Sequence, residues 1–434
     1  MPASLTSISS VTSIVIKGGL VIDRSGEHMA DVVIESGHIV AVGKDLSGDL
    51  VLDASGCVVA PGLVDVHSHL REPGMEEAET IESGSRGAVL GGYTAVVAMP
   101  NTMPAIDCAS VARDVLALGR ESLCDVYTSA AITMGRAGEI LTPMAELAAL
   151  GINLFTDDGA GVQDPAIMRL AMEYAAGLDV TLAQHCEIES LSHAGHMNEG
   201  AVSAKLGVAG IPAEAEELMV SRDIALAKLT GAKVHFQHMS TAGSVELIRA
   251  ARATGMSVSA EATTHHFTLT DSCLESYDPI FKVNPPLRTA ADIVAVKAGL
   301  ADGTIDAIAT DHAPHTPETK ERPLDQAPPG MLGLETALAL ALTELDLPIA
   351  DVLRLMSWRP AEIVGIDDVH SGKIEVGAIA NVCVFDPQEE WTISGSAMAS
   401  KSRNTPYEGR TVRGKVRHTI VAGEAVVIDA EAQR

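Results

Sequence analysis

Aromatic residues are scarce in this chain of 434 residues, which holds two Trp, five Tyr and five Phe. Basic residues are scarce too, 30 Lys and Arg against 58 Asp and Glu, for a formal charge of −28. Together these shortages remove the phosphate-neutralising face and the stacking platform that nucleic-acid binding requires. The six cysteines, Cys57, Cys108, Cys124, Cys186, Cys273 and Cys383, include no C-x-x-C pair. Their scatter argues against a disulfide framework and against a cysteine zinc site. No apolar run reaches membrane-spanning length, and the N-terminal stretch MPASLTSISSVTSIVIKGG lacks the basic start and apolar core of a secretory signal. A cytoplasmic protein is expected, with no membrane or nucleic-acid partner. One further absence is local: no lysine stands between Lys44 and Lys205.

What is present is apolar residue, 47% of the chain with 20% charged, enough for a large core under an acidic, soluble surface. From Ser13 to Ala60, β-branched runs alternate with Gly-bearing turns, which reads as a small antiparallel unit, and the same texture returns after Gly372. Nothing between resembles it. The economical inference is that residues 1–60 and 371–434 pair as one small β domain and residues 61–370 are inserted between them. That insert alternates strand-like and helix-like segments. Eight strands are read: LVDVH, TAVVAMP, DVYTSAA, INLFTD, VTLAQH, KVHFQH, SVSAEAT and DAIATD. Helices are expected over Glu82 to Leu90, Pro165 to Ala176, Ala213 to Leu229 and Ser244 to Ala253, with an extended loop over Thr268 to Ala291. The fold class is therefore α/β, a (β/α)8 TIM-like barrel with a small β-sandwich domain built from both termini.

Reactive groups in such barrels sit at the carboxyl ends of the strands. Here strand one ends in His67-Ser68-His69, strand four in Asp157-Asp158, strand five in His185, strand six in His238 and strand eight in Asp311. Residues at i and i+2 on a strand point the same way, and imidazole with carboxylate is what an open zinc site uses. A single strand histidine is more often a satisfied core group. Five strand ends agreeing on one face favour a metal site of one or two ions. Asp157 points away from Asp158 and is expected to be structural. His28, His38, His370 and His418 are expected at the surface of the terminal unit, and His193 and His196 in a polar loop.

These residues also carry a resemblance. DVHSHLREPG, Asp65 to Gly74, is similar to the first signature of class I type dihydroorotases in the amidohydrolase superfamily, and ATDHAPH, Ala309 to His315, with Lys320 five residues beyond, resembles the second. Asn101, FTDDG, QHCE, HFQHMS, VNPPLR and PPGMLGLET resemble the family as well, across nearly the whole chain. Ser68, Thr264 and Pro329 depart from its commoner residues. The resemblance implies reversible, zinc-dependent cyclisation of N-carbamoyl-L-aspartate to (S)-dihydroorotate and water in pyrimidine synthesis. It implies zinc, one or two ions per subunit, held by His67, His69, Asp158, His185, His238 and Asp311. Substrate would be gripped by His69, Arg71, Asn101, Asn284, His315, Pro329 and Gly330. It also makes a homo-oligomer the expected assembly and aspartate transcarbamoylase a candidate protein partner.

Asp311 is the expected catalytic proton carrier, taking a proton from the attacking water and returning it to the ring nitrogen. Arg71 follows the histidine pair by two, so alternation extends it onto the same face, where its planar fork suits a carboxylate; the alternative is a surface ion pair with Glu72 or a neighbouring acid. Asn284 either pairs with ring amide groups or forms a turn before Pro285-Pro286. Many relatives bridge two metals with a carboxylated lysine on strand four. The missing lysines exclude that bridge, and Asp158 is its substitute. A dihydropyrimidinase (hydantoinase) or allantoinase is the nearest alternative, although those enzymes usually keep the lysine and act on substrates without the carboxylate. A non-catalytic partner of aspartate transcarbamoylase is the other, although such proteins typically lose ligands. None is missing here. Residues Pro314 to Pro329 are a candidate mobile flap.

Overall fold

The eight apolar runs are strands in a computed structural model, which describes residues 12–192 and 195–434. They span Leu63–Ser68, Tyr93–Ala98, Asp125–Thr128, Leu154–Phe155, Thr181–Gln184, Lys233–Phe236, Val258–Thr263 and Ala307–Ala309. The first three pair in parallel, as do the last five. Parallel bridges from Ser68 to His312 and from Ala130 to Phe155 join the two groups and close the ring. His193 and the first eleven residues lie outside the described residues.

Closure explains why these strands are apolar runs rather than alternating ones: both faces are buried. Inside, Val64, Val66, Ala95, Val97, Leu154, Ala183, Ala307 and Ala309 pack with Ala361, Ile363 and Val364 of the helix Trp358–Val364. Outside, Val96, Phe155, Leu182, Val234 and Ile308 meet helix residues including Ile81, Val115, Met168, Met219 and Ile248. The helices start where local chemistry dictates. Thr80 caps Ile81–Leu90 with Ser83 returning the bond, and Asp164 caps Pro165–Leu178 with proline in the first turn. Glu214–Thr230 ends at Gly231, whose φ of 74° suits glycine.

The terminal segments share one nine-stranded sheet, joined where Val58–Pro61 pairs antiparallel with Val382–Thr392. Ile14, Ile16, Val32, Ile34 and Leu52 share a core with Val382, Val384 and Ile420. The N-terminal unit departs from the all-antiparallel expectation, because Ser13–Asp23 runs parallel to both Leu50–Asp53 and Val58–Pro61. Two histidines also differ from the surface assignment. His370 is buried with Nε2 3.1 Å from Asp125 Oδ2, and His418 is buried with Nε2 3.2 Å from the Asp53 carbonyl. Each buried ring nitrogen thus has a hydrogen-bond partner.

Candidate active site

Asp158 lies at the centre of the polar strand ends. Its Oδ1 is 3.3 Å from His67 Nε2 and 3.9 Å from both His185 Nδ1 and His238 Nε2, and its Oδ2 is 3.6 Å from His69 Nε2. Asp311 Oδ1 lies 3.0 Å from His69 Nε2 and 3.5 Å from His67 Nε2. His185 Nδ1 and His238 Nε2 stand 2.9 Å apart. The six predicted ligands thus converge, although the register of strand one shifts between Asp65 and Ser68 and the strand ends before His69. His238 and Asp311 hold φ of 37° and 45°, conformations that cost L-residues energy and cluster at functional sites.

Two overlapping groups can hold a metal: His67, Asp158 and His238, and His67, His69 and Asp311, all buried. The donors suit one. His67 Nε2 is buried with no hydrogen-bond partner among the described residues, an arrangement that proteins rarely leave without a ligand. Burial opposes charging His67, but Asp158, Glu261 and Asp311 outweigh it and raise its pKa well above the usual imidazole value. Burial likewise opposes charge on Asp158 and Asp311, yet the surrounding imidazoles hold both carboxyls below the ordinary range. The cluster therefore attracts positive charge, as a divalent cation would require.

A cavity of about 190 Å³ opens above these groups. His69, Arg71, Asn101, Asn284, His315, Pro329 and Gly330 all line it. Arg71 arrives by a different route from strand alternation: it lies beyond the strand at φ 62°, and its Nε donates to the Pro314 carbonyl at 3.1 Å. Glu72 is not its partner, because Glu72 accepts the Ile81 amide. Arg71 is buried with no ion pair among the described residues, and burial pushes its pKa down to about 10 despite Asp311, Asp158 and Glu79. Asn284 Oδ1 is buried and unpaired among the described residues, an acceptor held ready beside the cavity rather than spent on a turn. Gly330, at φ 140°, leaves no space for a side chain, since a Cβ would lie 2.8 Å from His315 Nε2.

Asn101 differs from a free substrate ligand. Its Oδ1 is 2.9 Å from His69 Nδ1 and its Nδ2 donates to Asp158 Oδ2 at 3.2 Å, so it also orients two of the clustered groups. His315 is neutral, because burial and then Arg71 push its pKa down to about 3; its Nε2 donates to the Pro329 carbonyl at 2.8 Å and leaves Nδ1 as an acceptor. Asp157 accepts the Ile132 and Thr133 amides, fixing the turn beyond strand three.

Several partners escaped the sequence reading. Glu261 Oε1 lies 2.7 Å from His67 Nδ1 and accepts the His238 amide, while its Oε2 meets His235 Nε2 at 3.0 Å. Its signal was a lone carboxylate inside the apolar strand SVSAEAT. Arg136 donates to the Asp158 carbonyl, and Asp65 accepts the Thr310 amide to lock strand one to strand eight.

A dihydro-orotase-like family model matches residues 56–244. A dihydroorotase of Pelotomaculum thermopropionicum is 48% identical over 425 residues, covering 96% of this chain and 99% of that protein. The chain belongs to the dihydroorotase family. Other family members agree: the dihydroorotase of Caldanaerobacter subterraneus subsp. tengcongensis is 47% identical over 95% of this chain and 96% of its own, and that of Streptomyces coelicolor 46% over 94% and 97%. Among solved structures, an L-hydantoinase (dihydropyrimidinase) from Arthrobacter aurescens superposes with a TM-score of 0.87 at 24% identity, covering 98% of each chain. That likeness shows the shared fold, a barrel with a sheet built from both chain ends. The dihydroorotase family is what the sequence relatives add.

Proposed function

We propose that the protein is a dihydroorotase, a metal-dependent cyclic amidohydrolase that interconverts N-carbamoyl-L-aspartate and (S)-dihydroorotate plus water in pyrimidine synthesis. The observation that carries this reading is one small cavity with the His and Asp cluster on one wall and, on another, the Arg71 guanidinium, which has no ion pair among the described residues. A cyclic amide that bears a carboxylate matches both walls.

His67, His69, Asp158, His185, His238 and Asp311 would hold zinc, and the two donor groups among them, which share His67, are consistent with one or two ions per subunit. Zinc there would supply a nucleophile from water at neutral pH and polarise the carbonyl under attack. Asp311, kept ionised, accepts the proton of the attacking water and passes it to the ring nitrogen as the C–N bond breaks; ring closure runs the same transfer backwards. Arg71 binds the substrate carboxylate and Asn284 Oδ1 accepts an N–H of the ring. The backbone at Pro329 and Gly330 closes the cavity over them.

The family points to a homo-oligomer in the cytoplasm with aspartate transcarbamoylase as a candidate partner, and light scattering with and without that enzyme tests both. Among the described residues no helix is long and apolar enough to cross a membrane.

Exhaustive chelation should abolish hydrolysis of dihydroorotate, and added zinc should restore it. Full turnover with metal absence verified by elemental analysis would overturn the metal-dependent reading. Glu261→Gln should weaken metal retention by about 10- to 100-fold, because the neutral amide no longer fixes the His67 imidazole by a charged bond. Competition with a chelator of known affinity measures it, and unchanged retention would leave Glu261 a packing residue.

A further inference from the structure

Lys320, part of the second signature, has no place in the chemistry above. It is buried on the short helix Pro317–Lys320, and no carboxylate pairs with it among the described residues. Its Nζ instead donates to the carbonyl of Lys282 at 3.0 Å and to that of Pro328 at 3.0 Å. The Lys282 carbonyl also accepts the Gly330 amide at 2.9 Å, and Lys282 Nζ reaches back to the Leu324 carbonyl at 2.7 Å. Two buried lysines therefore stitch two loops together in opposite directions.

Those loops form the roof of the cavity. Val283 and Asn284 follow Lys282 directly, and Pro328, Pro329 and Gly330 lie on the other side of the stitch; all five line the cavity. A buried ammonium without a counter-charge is costly unless its hydrogen bonds are made. The cost is evident here: burial, with Lys282 beside it and only Asp278 opposing, pushes the Lys320 pKa down to about 7. Among the described residues carbonyl oxygens alone hold this group, so its role is to fix the backbone that bears them.

We propose that Lys320 is a positioning residue for substrate binding, which clamps the loop bearing Asn284 to the loop bearing Pro329 and Gly330 through the carbonyls of Lys282 and Pro328. This inference rests on the dihydroorotase reading. Lys320 touches neither the His and Asp cluster nor the cavity itself, so its loss acts on grip rather than on chemistry.

The test is Lys320→Met in the full-length, metal-loaded protein, with steady-state kinetics on dihydroorotate and hydrogen exchange read at the Gly330 amide. The expected result is a KM raised by about tenfold or more with kcat within about threefold, since lost uniform binding appears in KM. Exchange at Gly330 should rise by a similar factor while the Leu182 and Val234 amides of the barrel stay protected, and metal content should not change. Lys282→Met, which removes the bond to Leu324, should loosen the same amide and serves if Lys320→Met does not fold. Unchanged KM and unchanged Gly330 exchange would overturn the proposal. So would kcat, metal content and thermal midpoint falling together, which marks a general structural role. If the wild type fails to turn over dihydroorotate, the functional reading falls, and Gly330 exchange still decides whether the clamp exists.

Discussion

Asp311→Asn should fold normally and lose about 10²- to 10⁴-fold in turnover, the range expected when a positioned proton carrier is removed. The fold should survive because Asn is among the residues that best tolerate a positive φ, and position 311 sits at 45°. The amide keeps the size and one acceptor oxygen, so the contacts at 3.0 Å to His69 and 3.5 Å to His67 can persist in part. What it cannot do is accept a proton and deliver it. The wild-type carboxyl is ionised because burial, which would neutralise it, is outweighed by His67 and His69. It is thus in the form that can accept a proton in the hydrolytic direction. Turnover in both directions, with metal content measured on the same sample, checks the expectation. A loss under tenfold with metal retained would assign the proton to another group, and loss of activity in proportion to metal would make Asp311 a ligand only.

The barrel was legible because its signals are local. Apolar runs of strand length, capping residues such as Thr80 and Asp164, and the polar residue ending each run lie within a few positions of one another. The candidate ligands were legible for the same reason, since a barrel gathers the strand ends whatever the details of register. Glu261 was not, because its bond to His67 joins residues 194 positions apart and exists only once the ring has closed. Asn101 showed its type but not its double engagement with His69 and Asp158, which depends on side-chain directions at three strand ends. Arg71 lines the cavity beside the cluster, but not by the alternation argued for it, since the strand ends at Ser68 and Arg71 itself has a left-handed backbone conformation. His370 sits in polar, turn-rich sequence and His418 on the strand Thr411–Val421, and only tertiary packing buries them.

Arg71→Met tests the feature that separates this site from those of cyclic-amide hydrolases whose substrates lack a carboxylate. Both side chains carry a Cβ and bear the same strain at φ 62°, so the substitution isolates the guanidinium. If that group meets the substrate carboxylate, the change removes a charge-assisted bidentate contact of about 1.5–3 kcal/mol, more if the anion is left buried and unpaired. At 1.4 kcal/mol per decade, kcat/KM for dihydroorotate should fall by at least about tenfold. The bond from Nε to the Pro314 carbonyl is lost as well, and that loss bears on every substrate alike. Dihydrouracil, the same ring without the carboxylate, separates the two effects. It should be a very poor substrate for the wild type and lose in the variant only what the Pro314 bond contributes, well short of the loss on dihydroorotate. Equal damage to both substrates would make Arg71 a loop anchor through Pro314, and wild-type turnover of dihydrouracil or hydantoin as fast as dihydroorotate would move the hydantoinase reading ahead.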